Sequence, residues 1–251
     1  MAPTPLWLLS APIGDRLEDL AVAAVKQLQR ARHLVLEERG AYHDRLRERG
    51  MLHPDAQVVF LEDRGGDAGA VAQAKAWLAA GLPVTLTASS GLPCFVDPGG
   101  ALVDWALEQG PDQIAVEPVG VSSALDAILC VSGVNLHAFF FAGHLPEHLT
   151  WPDGIGALRV PIALYVRGEA LPALAPHLAR LPGRWRLTLG EELRKRRPGA
   201  IVRHSALDWT DHPALQPRPG RGLVALVTPL IGGPGALPPD EPSGDPGWPR
   251  G

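Results

Sequence analysis

From the N-terminus to residue 118 the chain alternates short apolar runs with amphipathic stretches, and this alternation limits the possible folds more than any other feature. Pro5 to Ser10, His33 to Leu36, Val58 to Leu61, Pro83 to Thr87 and Gln113 to Val116 are apolar or β-branched runs of strand length. Between them apolar residues return at helical spacing, as in Leu17, Leu20, Ala24 and Leu28, and again in Ala70, Ala74, Trp77 and Leu78. Tyr42 to Met51 also reads as helix, with Arg45, Arg47 and Arg49 on different faces and therefore as solvated surface. Strands separated by crossovers of this length do not pair as hairpins. They form an α/β domain with a mostly parallel sheet and helices on both faces.

Ligands of such sheets bind beyond the carboxyl ends of the strands, so the strand-to-helix junctions are the candidate site. The first is Ala11-Pro12-Ile13-Gly14-Asp15, which is neither a GxGxxG fingerprint nor a P-loop. The second is Ala88-Ser89-Ser90-Gly91, small residues that let a ligand approach the backbone. Asp97 and Pro98 follow as the expected N-cap and first position of a helix through Leu107. The third is Glu117-Pro118-Val119-Gly120-Val121-Ser122-Ser123-Ala124. Its serines at a helix start suit an anion, and helix capping explains them equally well. Glu37 and Glu38, past the second run, either face the crevice or sit on a solvated loop.

The chain changes character at 118/119. We expect residues 1–118 to form a Rossmann-like α/β domain, 119–230 a second α/β domain with a mixed sheet, and 231–251 a disordered Pro/Gly-rich tail. Strand-like runs in the second half are His137 to Ala142, Pro161 to Val166, Trp185 to Leu189, Ala200 to His204 and Gly222 to Val227. A helix is expected over Leu171 to Leu181 despite Pro172 and Pro176, and a loop over Thr150 to Leu158. Glu191-Glu192-Leu193-Arg194-Lys195-Arg196-Arg197 is the one dense basic cluster. It reads either as a phosphate or nucleic-acid contact or as a solvated turn.

Composition narrows the function classes. A hydrophobic content of 46% over 251 residues supports a substantial core. The net charge of −4 argues against broad wrapping of nucleic acid while leaving room for a local basic patch. No stretch reaches the ~18 apolar residues of a spanning helix, so no membrane is expected. No basic n-region opens a signal peptide, and a cytoplasmic location is expected. Two cysteines, Cys94 and Cys130, are too few for a disulfide framework or a Cys-based zinc site, so no metal is expected and both thiols are read as buried and neutral.

Six segments in order carry a family likeness: Ala11-Pro12-Ile13-Gly14-Asp15, Glu37-Glu38-Arg39-Gly40, Ala88 through Gly99, Val119-Gly120-Val121-Ser122-Ser123, Phe141-Ala142-Gly143-His144-Leu145-Pro146, and Glu191-Glu192-Leu193-Arg194-Lys195. Together they resemble the tetrapyrrole methylase superfamily, the class III S-adenosylmethionine methyltransferases. Within it they are most similar to the bacterial 16S ribosomal RNA cytidine 2′-O-methyltransferases. The resemblance implies two α/β domains with S-adenosylmethionine in the cleft between them, a homodimer, and small-subunit ribosomal RNA as acceptor. Carried over by position, the cofactor site comprises Pro12, Ile13, Gly14, Ser90, Gly91, Val96, Ser122, Ser123, Tyr165, Val166, Leu193 and Ala225.

The chain departs from the family pattern at several points. Ser89 stands where the family has aspartate, Gly40 replaces an arginine, and Tyr165-Val166-Arg167-Gly168-Glu169-Ala170 replaces Tyr-Glu-Ser-Pro-His-Arg. These departures keep open a small-molecule or peptide acceptor, and a non-catalytic cofactor-binding module. A ribose hydroxyl is weakly acidic and benefits from a base and a cation. Glu38 and Lys195 are the candidates for those roles, and Ser89→Asp is expected to strengthen cofactor binding.

Overall fold

The computed structural model describes residues 2–61, 68–95, 98–134, 136–145, 151–152, 154–195 and 199–230. Val96, the Asp97 cap, Gly65-Gly66-Asp67 (which the sequence reads as opening the helix through Leu78), Pro146, Arg196, Arg197 and the 231–251 tail lie outside the described residues.

The first half runs β1 (Thr4–Leu9), α1 (Val22–Arg30), β2 (His33–Leu36), α2 (Ala41–Glu48), β3 (Gln57–Phe60), α3 (Ala68–Ala79), β4 (Val84–Thr87), α4 (Gly100–Gln109) and β5 (Ile114–Val119). The strands form one sheet in the order β3-β2-β4-β1-β5, and every pairing is parallel. Both faces are covered. Leu9, Leu34 and Leu36 pack with Leu28, Tyr42 and Leu46 of α1 and α2. Leu6, Leu8 and Val35 pack with Ala74, Trp77, Leu102 and Val103 of α3 and α4. Burial on both faces is why these strands read as unbroken apolar runs. The chain leaves β1 toward β2 on one side and leaves β4 toward β5 on the other. The adjacent strands β1 and β4 therefore flank the switch point at which open sheets hold ligands.

Helix α4 starts later than Asp97 and Pro98 imply. Its N-cap is Gly99, at φ 116°, and no side chain among the described residues caps it. A Cβ on Gly99 would lie 2.9 Å from Leu86 Cδ2. The left-handed backbone and the close approach to β4 both require glycine there.

The second half contains α5 (Ala124–Cys130), β6 (Phe140–Leu145), α6 (Ile155–Leu158), β7 (Ile162–Arg167), α7 (Ala175–Leu178), β8 (Trp185–Glu191), β9 (Ile201–Ala206) and β10 (Gly222–Pro229). Its sheet has the order β6-β7-β10-β8-β9, with β6 and β7 parallel and the other pairs antiparallel. Two local readings change. A short helix, α6, lies in the stretch read as loop. In place of one helix over Leu171 to Leu181, a 3-10 turn at Gly168–Leu174 leads into α7. Pro172 removes a helical donor inside the turn, and Pro176 sits in the first turn of α7, where proline is tolerated.

The two sheets share a core. Ile128 and Leu129 of α5 cluster with Ala163, Val224 and Leu226 of the second sheet and with Leu6 and Leu8 of the first. The opposite face of the second sheet, including Leu164, Val166, Ala225 and Val227, packs on Leu171, Leu174, Leu178 and Trp209. Asp104 of α4 accepts hydrogen bonds from Arg186 of β8, at 2.8 Å, and from Arg203 of β9. Arg203 also donates to the Ser132 carbonyl at 2.7 Å. Cys94 and Cys130 are not joined in a disulfide, both are fully buried, and burial pushes the Cys130 thiol well above its usual range. Among the described residues no helix is long and apolar enough to cross a membrane, and no cluster of metal-ligating side chains occurs.

Candidate functional site

Parallel pairing brings the carboxyl ends of β4, β1 and β5 to one edge of the first sheet, and their loops are laced together there. The Ala11 N–H donates to the Gly91 carbonyl at 2.8 Å, and the Ser90 hydroxyl donates to the Pro12 carbonyl at 3.4 Å. The Ser89 N–H donates to the Glu37 carboxylate at 2.8 Å, which adds the loop after β2. Arg45 of α2 pairs with Asp15 at 2.8 Å and anchors the far end of the first turn, so it is more than solvated surface. Ideal Cβ atoms on Gly14 and Gly91 would meet nothing within 4 Å. Open space at both glycines leaves their backbones approachable.

Beside this edge, the start of α5 and the second sheet enclose a cavity of about 530 Å³. Ser122 and Ser123 line it from one side; Tyr165 and Val166 of β7, and Leu193 and Lys195 after β8, line it from the other. These six positions, far apart in sequence, are among those singled out by family likeness. Pro12, Ile13, Gly14, Ser90 and Gly91 do not line the cavity and lie on the neighbouring carboxyl edge. Glu38 is exposed after β2 and is not part of the lining; Glu37 is the member of that pair that bonds the β4 loop. Ala225 turns its side chain into the second core with no exposure, and its neighbour Val224 lines the cavity instead. Strand alternation makes that one-residue difference a change of face.

Helix capping accounts for Ser123. Its hydroxyl accepts the Asp126 N–H at 3.1 Å, while the Asp126 carboxylate accepts the Ser123 N–H at 3.0 Å. Ser122 lies beside it on the rim.

The segment after β8 is a tight strap. Glu192 and Arg194 hold positive φ values of 47° and 60°. Leu193 folds back so closely on Gly190 that a Cβ there would lie 2.8 Å from Leu193 Cδ1. Lys195 Nζ pairs with the Glu192 carboxylate at 2.8 Å, and the Gly222 N–H donates to the same carboxylate at 2.6 Å. The hydrogen bond from Lys195 and that from Gly222 lower the Glu192 pKa below its usual range. Arg194 reaches Glu117 of β5 at 3.3 Å and ties the strap to the first sheet. The Arg194 and Lys195 part of the basic cluster therefore belongs to the cavity wall.

Sequence reasoning missed three polar residues of the lining, His144, Arg167 and Glu192. Each adjoins or falls within a motif already recognised, so adjacency was the only available signal. The lining mixes apolar side chains (Val121, Ala127, Leu223 and Val224) with these few polar groups. A volume of this order with such a wall suits a cofactor-sized molecule that has an apolar ring and polar ends.

No family model matches the chain. It is 30% identical over 247 residues to ribosomal RNA small subunit methyltransferase I of Mesorhizobium japonicum, covering 95% of this chain and 78% of that protein. The protein of the same description from Leptospira biflexa is 26% identical over 194 residues, covering 76% of this chain and 78% of the relative. The one from Micromonospora olivasterospora is 29% identical over 204 residues, covering 81% and 60%. Among solved structures, uroporphyrin III C-methyl transferase from Thermus thermophilus is 23% identical with a TM-score of 0.34, covering 88% of this chain and 96% of that one. Cobalt precorrin-4 methyltransferase is 16% identical with a TM-score of 0.36, covering 88% and 94%.

Proposed function

The chain belongs to the ribosomal RNA small subunit methyltransferase I family, and from that premise we propose that it methylates a ribose 2′-hydroxyl of small-subunit ribosomal RNA with S-adenosylmethionine as donor. The observation that carries this reading is the convergence of Ser122, Ser123, Tyr165, Val166, Leu193 and Lys195 on one cavity of about 530 Å³. S-adenosylmethionine, when bound, supplies an electrophilic methyl group. Its apolar and polar parts match the mixed lining of Val121, Ala127, Leu193 and Leu223 with the Ser122 hydroxyl. Pro12, Ile13, Gly14, Ser90 and Gly91 extend the site along the carboxyl edge, with the open space at Gly14 and Gly91 admitting close approach to the backbone. Ala225 takes part through its strand only, beneath Val224.

The protein's task is to align donor and acceptor and to exclude water around them. Lys195 steadies negative charge developing on the acceptor oxygen, and Glu192 sets where its ammonium rests. Glu38 is the proposed base. A cytoplasmic homodimer is part of the same proposal, and sedimentation velocity tests the dimer.

The reading is tested with labelled S-adenosylmethionine and small ribosomal subunits from a strain lacking its own enzyme of this kind. Alkali-resistant label in the RNA is expected. Label on a peptide or small molecule instead replaces the acceptor, and absence of cofactor heat in calorimetry makes the chain a non-catalytic module. Lys195→Ala and Glu38→Gln are each expected to slow single-turnover transfer by ~10²-fold; wild-type rates in both remove those roles.

A further inference from the structure

We propose that Phe141, Tyr165 and His144 form an aromatic shelf at the cavity rim, on which an unpaired RNA base stacks. In a regular strand, residues three apart point to opposite faces, so Phe141 and His144 of β6 should diverge. The pairing of β6 with β7 shifts register between them, and Gly143 within the shift has φ 85°. Phe140, Ala142 and Leu145 stay in the second core on both sides of the irregularity. The ring of Phe141 meets Tyr165 edge-on, with centroids 5.3 Å apart, and the His144 ring lies 6.4 Å from the same tyrosine. Bulges beside sites commonly re-aim a side chain in this way.

Packing does not account for the outermost member. Phe141 is 42% exposed, and it is the one aromatic among the exposed large hydrophobics of the described residues. Tyr165 and His144 line the cavity itself. The same lining carries Arg167, Arg194 and Lys195, of which Arg194 reaches Glu117 and Lys195 pairs with Glu192, in a chain whose net charge is −4. An apolar π-face next to clustered cationic side chains is the pairing that holds single-stranded nucleic acid: the cations meet the phosphates and the ring meets the base. His144 adds a polar edge to the shelf.

The inference rests on the reading that RNA is the acceptor. Phe141→Leu keeps an apolar side chain and removes the π-face, and Phe141→Trp enlarges it. The KM for small subunits is measured in both, with cofactor affinity by calorimetry and with Leu207→Ala, at an 81% exposed residue away from the cavity, as control. Phe141→Leu is expected to raise the RNA KM at least ~5-fold, Phe141→Trp to keep or lower it, and Leu207→Ala to leave it unchanged. A wild-type RNA KM in Phe141→Leu overturns the shelf while leaving the acceptor reading intact. The same holds if that variant becomes monomeric with an unchanged KM, which would assign Phe141 to a contact between copies. Loss of cofactor binding in Phe141→Leu also overturns it, because the residue would then serve the cofactor cavity. Wild-type protein that binds cofactor but methylates no RNA removes the acceptor reading, and the shelf with it.

Discussion

The Glu37 carboxylate accepts the Ser89 backbone N–H at 2.8 Å, joining the acidic pair after β2 to the loop after β4. The family places an aspartate at position 89; here a carboxylate reaches the same loop from a neighbouring strand. Hydrogen bonds to charged groups contribute about 1.5–3 kcal/mol. Glu37→Gln is therefore expected to loosen the Ala88–Gly91 loop and weaken cofactor binding by about 10-fold in calorimetry. The bond also reverses the expectation for Ser89→Asp, which brings a second carboxylate toward Glu37. Weaker binding is now expected; tighter binding would show that the two acids do not compete.

Gly168 is sealed against the segment before β10. Its N–H donates to the Arg221 carbonyl and its carbonyl accepts the Arg218 N–H, both at 2.8 Å. A Cβ on Gly168 would overlap the Arg218 carbonyl oxygen. This contact gives a physical reason for glycine at 168, where the family pattern has proline. Gly168→Ala is expected to lower stability by at least ~2 kcal/mol in a denaturant titration. A smaller cost would mean that the 218–221 segment moves aside freely.

Asp104 is the hub that joins α4 to the second sheet, and the Arg203 side chain it holds is only 6% exposed. Removing the carboxylate leaves Arg203 buried beside Arg186, with burial and Arg186 both already lowering its pKa. Asp104→Ala is expected to cost roughly 2–4 kcal/mol, somewhat below the figure for a fully buried pair because Asp104 is partly exposed. A double-mutant cycle with Arg203→Met should recover part of the loss. Additive costs would show that the pair is not coupled.

Burial lowers the pKa of His43, His177 and His204 from the usual 6.5, with Arg180 adding to the effect at His177 and His212 and Arg218 at His204. The folded chain then binds fewer protons than the unfolded chain just below that pH. The stability these groups contribute is present above 6.5 and is lost as pH falls through the lowered values. The thermal midpoint is expected to drop between about pH 7 and pH 5, and less steeply in His204→Asn. A flat profile over that range contradicts the assignment.

The strands were legible because burial on both faces produces unbroken apolar runs, as in Val84 to Thr87 and His33 to Leu36. The order β3-β2-β4-β1-β5 was not, because strand order depends on how crossovers pack across the sheet. In the site, the motif segments were legible but the facing of individual residues was not. Whether Val224 or Ala225 meets the cavity is a matter of register, which flips every side chain when it shifts by one. Glu37 rather than Glu38 reaches the β4 loop for the same kind of reason. The irregularity at Gly143 and the Gly99 helix start depend on contacts with β7 and Leu86, which no local pattern encodes.

The central claim is that the cavity of about 530 Å³ beside the carboxyl edge of the first sheet is the donor site. Calorimetric titration with S-adenosylhomocysteine tests it, comparing wild type with Ala124→Trp, which projects an indole from an exposed rim position into the cavity. One-to-one binding by wild type, and its loss in an Ala124→Trp protein with an unchanged thermal midpoint, is the expected result. Wild-type affinity in Ala124→Trp, or no binding by the wild-type chain, would contradict it.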